Sequence, residues 1–465
     1  MKKYEIHNKA FLGDTLTPVS VYLALRDHFA DCKLLESAEY GKAQHTRSII
    51  ACKNLKSVEV EAGVVKMTDQ NGVSIGVLKN GLAAVLQTFY DSVLDDIENK
   101  EDLNAVGLIG YMGYNSIQYI ESIELSNTKK GCGIPDIYFG FYEFNIVFDH
   151  FHNQITVYQF KHNKSTLSIE NVISLMARAN SAITPFVLKG KEQVLDTNER
   201  FLGMVDEGKK QCQSGNVFQV VFSRKFIQGY AGDEFNVYRN LRHINPSPYM
   251  FFFDHGNFKM AGSSPETHVE IKNNKVSIHP IAGTIKRKGV EADDNANLQK
   301  LINDPKENAE HDMLIDLARN DLSIYCREVE VKRKKEVQQF SHVYHLVSEV
   351  SGVMKNQAGI FDILTRTFPA GTLTGAPKYK AMQLIDETET HSRDFYGGAI
   401  GFVDLQSNLN LAILIRTLCA KDGIMNYFAG AGITVSSKPE NELIEINNKI
   451  NALRKAMEMA NSGLN

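Results

Sequence analysis

Apolar positions along the chain follow a helical period in some stretches and a strand period in others, and the two alternate. Thr17-Pro18 opens a helix, with Thr as N-cap and Pro at the first helical position. Segments near 47–87 predict short strands broken by Asn-Gly and Gly turns, and residues 80–98 predict a helix. Residues 136–160 are rich in aromatic and β-branched side chains and predict a strand pair that turns near Asn153. A polar-flanked helix is expected over 167–185. The second half repeats the mixture. A helix over 197–214 leads to the strand NVFQVVFSRKF. Strands follow near 249–254 and 267–272, then a turn at Asn273-Asn274 and the strand KVSIHPIAGT. Helices are expected over 304–322, 358–367, 375–387 and 438–460, with strands near 397–404, 409–417 and 424–431 between the last two.

The hairpin-like spacing favours antiparallel pairing and an α+β fold over a doubly wound parallel sheet. No Gly/Ser or Pro-rich linker marks a boundary. The pattern places one between 165 and 195, separating an N-terminal region, 1–180, from a larger region, 190–465. The 465 residues allow roughly three domains, or two large ones, and a core that needs no disulfide or metal staple. Hydrophobic residues at 43% and charged residues at 23% exclude a largely disordered chain, a collagen and a long coiled coil.

The charge sum, 51 − 55 = −4, argues against an electrostatic nucleic-acid binder. The densest basic run, Lys332-Arg333-Lys334-Lys335, reads as a solvated strand edge or turn. The six cysteines, at 32, 52, 132, 212, 326 and 419, form no CxxC pair, so they read as reduced thiols of a cytoplasmic protein. The two N-terminal lysines precede no apolar run, and no stretch approaches about 18 uninterrupted apolar residues; neither a signal peptide nor a membrane span is expected.

Two predicted helices carry carboxylates at metal-site spacing. In DPKENAEHDMLIDLARNDL, Asp304 is the N-cap, Pro305 the first helical residue, and Glu307 sits where a capping box wants a carboxylate. Glu310 follows on the same face. In SSKPENELIEINNKINALRKAM, Ser437 and Glu440 make a second capping box, and Glu442, Glu445 and Lys449 share a face. Four carboxylates suit a hard cation such as magnesium, although first-turn acids also arise without any metal because they face the positive helix end. A di-iron site is excluded: Glu307 is followed three residues on by Glu310, not His.

Gly371, Thr372 and Gly375 precede a helix, where free backbone N–H groups suit an anion, without Walker A spacing. A second glycine cluster, FAGAGITVSS, lies between a strand and the last helix. His342 and His345 fall on opposite faces of a strand-like run, so one of them faces any given cleft. Arg416, inside the apolar run LNLAILIRTLCA, requires a partner, either a carboxylate ligand or an intramolecular salt bridge.

The strings PIAGT, DPKENAEHDMLIDLARNDL, FSHVYHLVSEVSG, FPAGTLTGAPKYKAM, YGGAIGF and AGAGI…PENELIEINNK occur in this order across residues 280–460. This series resembles the chorismate-utilising enzymes, most closely the large subunits of anthranilate synthase. LLESAEYG near the N-terminus and NPSPYMFF match as well, so the resemblance covers nearly the whole chain. It implies a layered α/β sandwich with large, mostly antiparallel sheets. It also implies conversion of chorismate, with ammonia, to anthranilate and pyruvate, the first step of tryptophan biosynthesis. By resemblance, Glu310 and Glu445 bind Mg2+ with Glu307 and Glu442 in support. Tyr396, Arg416 and the backbone at Gly432 hold the pyruvyl carboxylate, Lys449 adds positive charge, and Thr284 bonds the substrate near the reacting ring carbon. Glu266 is the general acid on the departing ring hydroxyl, and His345, of the two histidines, assists proton removal and pyruvate loss.

Two further positions bear on the nucleophile. Ala282, beside Gly283 in PIAGT, stands where many aminodeoxychorismate synthases have a nucleophilic Lys, so ammonia attacks directly. Gln219 stands where isochorismate-forming relatives have a Lys that activates water. Ile285 departs from the family's usual Arg, and AGAGITVSS from its commoner AGAGIVADS. No cysteine sits in a Gly-x-Cys-x-Gly context, so the resemblance implies a separate glutamine amidotransferase subunit and a hetero-oligomer. Leu34, Glu36 and Ser37 of LLES, with Asn245, Pro246, Ser247, Tyr249 and Met250 of NPSPYM, match the family's tryptophan-feedback pocket. In that pocket Leu34, Tyr249 and Met250 would form the apolar slot, Glu36 would offer charge and Ser37 a hydroxyl. The alternatives are aminodeoxychorismate synthase component I and a catalytically inactive tryptophan-binding regulatory protein.

Overall fold

Two long strands, Arg47–Glu61 and Ile137–Asp149, pair over most of their length and form the root of the sheet. The second is buried at all but its last residue, because both of its faces are covered; hence its near-continuous aromatic and aliphatic sequence. The computed structural model describes residues 4–37, 46–78, 81–98, 103, 106–126, 128–178, 183–286, 291–339 and 343–463, without the side chains of 282, 284, 286, 291–293, 296, 306, 339 and 343.

Two limbs diverge from the root. One continues through Cys32–Glu36, Tyr249–Asp254, Phe258–Ser264, Thr417–Lys421, Ile424–Ile433 and Gln219–Gly232. The other continues through Gly107–Met112, Ala399–Asp404, Leu409–Ile413, Thr267–Lys272, Lys275–Ile278 and Val343–Met354. These ladders are all antiparallel, as the hairpin spacing predicts, and the architecture is α+β.

Side chains from both limbs, among them Tyr111, Ile400 and Ile413 from one and Phe251, Met260 and Phe428 from the other, fill the space between them. Helices pack on the outer faces. Asn198–Gln213, Phe235–Ile244 and Pro439–Asn461 group on the first limb; Leu82–Asp95, Ile360–Thr367 and Pro305–Ser323 group on the second. Among the described residues no helix is long and apolar enough to cross a membrane.

The expected boundary near 165–195 falls between the helix Ile169–Ala177 and the strand Phe186–Val194. Both limbs nevertheless mix strands from the 1–180 and 190–465 regions: Cys32–Glu36 pairs with Tyr249–Asp254, and Gly107–Met112 with Ala399–Asp404.

Most elements that the pattern names lie where it puts them and three differ; it names neither the helix Phe235–Ile244 nor Glu291–Ile302. The helix expected over 167–185 ends at Ala177. KVSIHPIAGT is two strands, Lys275–Ile278 and Ile281–Lys286, interrupted at Pro280, which has no N–H to give a ladder. The basic run lies, as expected, solvated on a strand edge: Cys326–Gln339 pairs only with Val343–Met354 among the described residues, and its register slips there. The strand expected over 409–417 breaks after Ile413 and resumes at Thr417.

Candidate functional site

The chain crosses between limbs at two adjacent places. Phe258–Ser264 belongs to the first limb and Thr267–Lys272 to the second, so residues 265–266 form one crossing. Leu409–Ile413 belongs to the second limb and Thr417–Lys421 to the first, so residues 414–416 form the other. The two crossings are bonded to each other: Ile413 N–H donates to the Glu266 carbonyl at 2.9 Å and Ser263 N–H to the Arg416 carbonyl at 3.2 Å. Each therefore carries one charged residue of interest. Arg416 has φ +48°, a left-handed conformation that ends the strand and accounts for the break the periodicity missed.

These two charges are both half-buried. Burial pushes the Glu266 carboxyl up to about 7, although the Thr372 hydroxyl, Lys449 and Arg416 all favour its ionised form. Burial lowers the Arg416 guanidinium, and Glu266 opposes that. No carboxylate among the described residues is within ion-pair distance of Arg416; the intramolecular salt bridge is not made. His345 lies on Val343–Met354, directly across the ladder from Thr284. Its Nδ1 is 3.4 Å from the Gly283 carbonyl oxygen. Burial lowers it to about 4, and nearby Arg416 pushes the same way. Gly283 sits at a register shift with φ +70°; a Cβ there would meet Leu301 Cδ1 at 2.7 Å and Glu307 Oε2 at 3.4 Å. The side chains of Ala282 and Thr284 lie outside the described residues, as does His342.

The opposite wall is the glycine strand. Tyr396 is buried and close enough to feel the charges of Glu445 and Glu266, which with burial raise its phenol. A Cβ at Gly430 would stand 2.7 Å from the Tyr396 hydroxyl, and one at Gly432 would stand 2.3 Å from Gln219 Nε2. These glycines let the phenol and the Gln219 amide lie directly on the backbone. Lys449 Nζ donates to the Gly430 carbonyl at 2.9 Å and pairs with Glu445 at 2.7 Å.

Asp304 caps the helix Pro305–Ser323 by accepting from Glu307 N–H at 3.1 Å, as expected. The second capping box is not formed. Lys438 is the N-cap of Pro439–Asn461, and Ser437 Oγ instead accepts from Thr434 N–H at 3.1 Å. The reason is local: Ser437 closes the turn that follows the glycine strand. Glu442 is buried and Glu445 exposed on the last helix; Glu307 and Glu310 are half-buried on the first. Among the described residues no three Asp, Glu, His or Cys side chains gather about one point. The donor set is nevertheless all hard oxygen, from two helices that reach the site from opposite walls, and its chemistry suits magnesium.

The chorismate binding enzyme family matches residues 43–455. The chain belongs to this family. It is 35% identical over 458 residues to anthranilate synthase component 1 of Lactococcus lactis subsp. lactis, covering 96% of this chain and 98% of that protein. It is 34% identical to the component 1 of Aquifex aeolicus, covering 97% and 94%. The crystal structure of anthranilate synthase component I from Streptococcus pneumoniae superposes with a TM-score of 0.74 at 32% identity, covering 90% of this chain and 93% of that one. The menaquinone-specific isochorismate synthase of Escherichia coli shares the fold, with a TM-score of 0.73 at 16% identity and coverage of 98% and 95%. Within the family, the resemblance to anthranilate synthase component I read from the six strings holds over nearly the whole chain.

The LLES and NPSPYM segments are also brought together. Glu36 pairs with Met250 and Leu34 with Phe252 across adjacent strands. Their side chains do not form the slot expected of them. Strand alternation sends Leu34 and Met250 into the main core, whereas Tyr249 packs in the inter-limb core with its hydroxyl 2.8 Å from Thr267 Oγ1 and 3.0 Å from Asn410 Oδ1. Glu36 is engaged too, accepting from Arg242 Nε at 2.9 and 3.1 Å and from the Tyr238 hydroxyl at 2.5 Å. Ser37 is half-buried at the strand end, and the Ser247 hydroxyl donates to the carbonyl of Asn245, the residue before the half-buried Pro246. The sequence reading also passed over Arg393, four residues after Glu389 and three before Tyr396; an arginine and glutamate at helical spacing beside a site tyrosine was the available signal.

Proposed function

We propose that this chain is the chorismate-converting component of an anthranilate synthase: chorismate and ammonia give anthranilate, pyruvate and water. The observation that carries the reading is the crossing itself, where a carboxylic acid raised to about 7 lies near a half-buried arginine that has no carboxylate partner among the described residues. A buried cation without an internal counter-ion suits an anionic substrate. Chorismate is a dianion whose pyruvyl carboxylate would take Arg416, the Tyr396 hydroxyl and the backbone at Gly432. Glu266, protonated below about pH 7, gives its proton to the ring hydroxyl as that C–O bond breaks, so water leaves rather than hydroxide. Ammonia forms the new C–N bond and afterwards loses a proton. His345, held neutral above about pH 4, then takes the ring proton as the pyruvyl C–O bond breaks. The ring becomes aromatic, and the enol of pyruvate takes up a proton to give pyruvate.

Glu310 and Glu445, supported by Glu307 and Glu442, would hold Mg2+, which when bound supplies positive charge to the ring carboxylate. Gln219 has no basic group with which to activate water, which supports ammonia as nucleophile. The relatives' designation as component 1 supports a separate ammonia-supplying subunit, read here as a glutamine amidotransferase. Tryptophan is proposed as feedback inhibitor at the LLES–NPSPYM seam. Six free thiols support a cytoplasmic location.

The test is incubation with chorismate, an ammonium salt and magnesium, following anthranilate fluorescence and pyruvate together. Both products in equal amounts, dependent on magnesium, are expected. An aminated product without pyruvate would instead make the chain an aminodeoxychorismate synthase, and no turnover of chorismate would remove the enzymatic reading.

A further inference from the structure

Arg393 is only 3% exposed, and each nitrogen of its guanidinium donates. Nε and Nη2 donate to the two oxygens of Glu389 at 2.9 and 2.6 Å, Nη1 to the Leu373 carbonyl at 2.7 Å, and Nη2 also to the Val221 carbonyl at 2.6 Å. Both carbonyls belong to walls of the site. Leu373 follows Thr372, the hydroxyl beside Glu266, and Val221 pairs with Gly432. The cation also lies over two rings, 4.8 Å from the centroid of Tyr114 and 5.8 Å from that of Tyr396. Tyr396 N–H donates to the Arg393 carbonyl at 2.8 Å, so the two residues share one turn. Glu389 is tied to the strand beneath, accepting from Ser223 N–H at 2.7 Å and its hydroxyl at 2.9 Å.

We propose that Arg393 is a positioning residue for the substrate-carboxylate end of the site, acting through Tyr396. It fixes the phenol against the glycine strand and strengthens it as a hydrogen-bond donor. The inference rests on the reading of Tyr396 as a donor to the pyruvyl carboxylate. A cation on a ring face draws electron density from the ring, which makes its hydroxyl a better donor. The charge of Arg393 opposes the rise that burial, Glu389, Glu445 and Glu266 impose on the Tyr396 phenol. A lysine in its place keeps the charge and loses the planar fork, so Leu373, Val221 and the ring are no longer held in register. A purely structural ion pair would hold the same contacts without singling out one side chain of the site.

The experiment is a double-mutant cycle on the full chain, with chorismate saturation curves at fixed ammonium and magnesium. Tyr396→Phe is expected to raise the KM for chorismate about 10- to 100-fold, the loss of a hydrogen bond to a charged group. Arg393→Lys is expected to raise KM about 10-fold with kcat within about threefold, and to add less than about twofold in the Tyr396→Phe background. Full multiplication of the two effects, or a fall in kcat at unchanged KM, would overturn the proposal. If Tyr396→Phe alone leaves KM unchanged, the reading of Tyr396 fails and the proposal with it, a result distinct from failure of the coupling. Should thermal melts show that Arg393→Lys does not fold, Tyr114→Leu takes its place. That change leaves the ion pair whole and removes one ring from the cation. Its expected rise in KM, about two- to fivefold, should vanish in the Tyr396→Phe background, and persistence there would overturn the proposal.

Discussion

Glu36, buried, and Glu266, half-buried, are both carboxylates near an arginine in the same sheet, and they are satisfied in opposite ways. Glu36 lies inside a regular ladder and is bonded by Arg242 and Tyr238. Glu266 lies where the ladder is broken, has a single hydroxyl beside it, and feels Arg416 only at a distance. Internal pairing makes the first a structural clamp. The second is left, among the described residues, without an ion-pair partner, as is the arginine near it, and a reaction can use that. Burial alone does not mark a functional charge; burial without internal satisfaction does. The contrast follows from topology, because a crossing between limbs takes Glu266 and Arg416 out of the ladders that engage Glu36.

The largest losses are expected at the carboxylates on the two helices facing the crossing. Glu310→Gln or Glu445→Gln should abolish magnesium-dependent turnover while circular dichroism shows the fold retained. Wild-type activity in either variant would remove the metal assignment and leave the crossing to act alone.

Glu266→Gln should lower kcat by about 10²–10⁴. In the parent, rate expressed per free ammonia should fall as pH rises through about 7, where Glu266 loses its proton, and the variant should lack that limb. Stability gives a second readout. A carboxyl raised from 4.5 to about 7 on folding favours the folded state at low pH, and that contribution is lost as pH climbs through 7. The glutamine variant should therefore melt above the parent at pH 8, and the gap should close toward pH 4. An unchanged pH–rate profile would show that Glu266 is not the acid.

Arg242→Met probes the other carboxylate. Leaving Glu36 buried without its cation should cost about 2–4 kcal/mol, toward the low end because Arg242 is 41% exposed. Turnover without tryptophan should stay within about threefold of the parent. An unchanged melting temperature would mean that the clamp is not structural, and the contrast with Glu266 would fail.

These differences bear on how much was legible in the sequence. Periodicity located the strands and helices because most are regular and amphipathic or fully buried. It failed where one residue overrides the period: Arg416 ends a strand by its left-handed φ, and Pro280 splits another by lacking an N–H. The ordered motifs brought Glu266, His345, Tyr396 and Arg416 to one site, yet spacing could not say that Arg416 would be left unpaired, since that depends on which segments meet at the crossing. Ser437 shows the converse. Its capping signal was correct in form, but the preceding glycine strand used the hydroxyl first. The resemblance puts Leu34 and Tyr249 in one slot, and their strands do lie side by side; adjacency of strands fixes neighbours, whereas alternation fixes faces.

The smallest effect on the uninhibited enzyme is expected at Ser37, and it tests whether the two halves of the comparison are connected. The strand Tyr249–Asp254 pairs with Cys32–Glu36 on one side and with Phe258–Ser264 on the other, and Tyr249 stands opposite Ser264, two residues before Glu266. The Tyr249 hydroxyl reaches Thr267, on the far side of that crossing. A ligand wedged at the end of the seam, between Ser37 and the Asn245–Ser247 turn, would therefore press on the segment that carries Glu266, the proposed acid. Linkage then requires tryptophan and chorismate to weaken each other's binding by the same factor. Ser37→Phe should fill the seam and relieve inhibition, while kcat and KM without tryptophan stay within about twofold, because Ser37 is a half-buried residue at the strand end and is none of the residues assigned to chorismate. Tryptophan titrations of parent and variant at several chorismate concentrations decide it. Equal inhibition of the two would place the effector elsewhere, and no inhibition of the parent would make the seam, Glu36 included, a purely structural clamp.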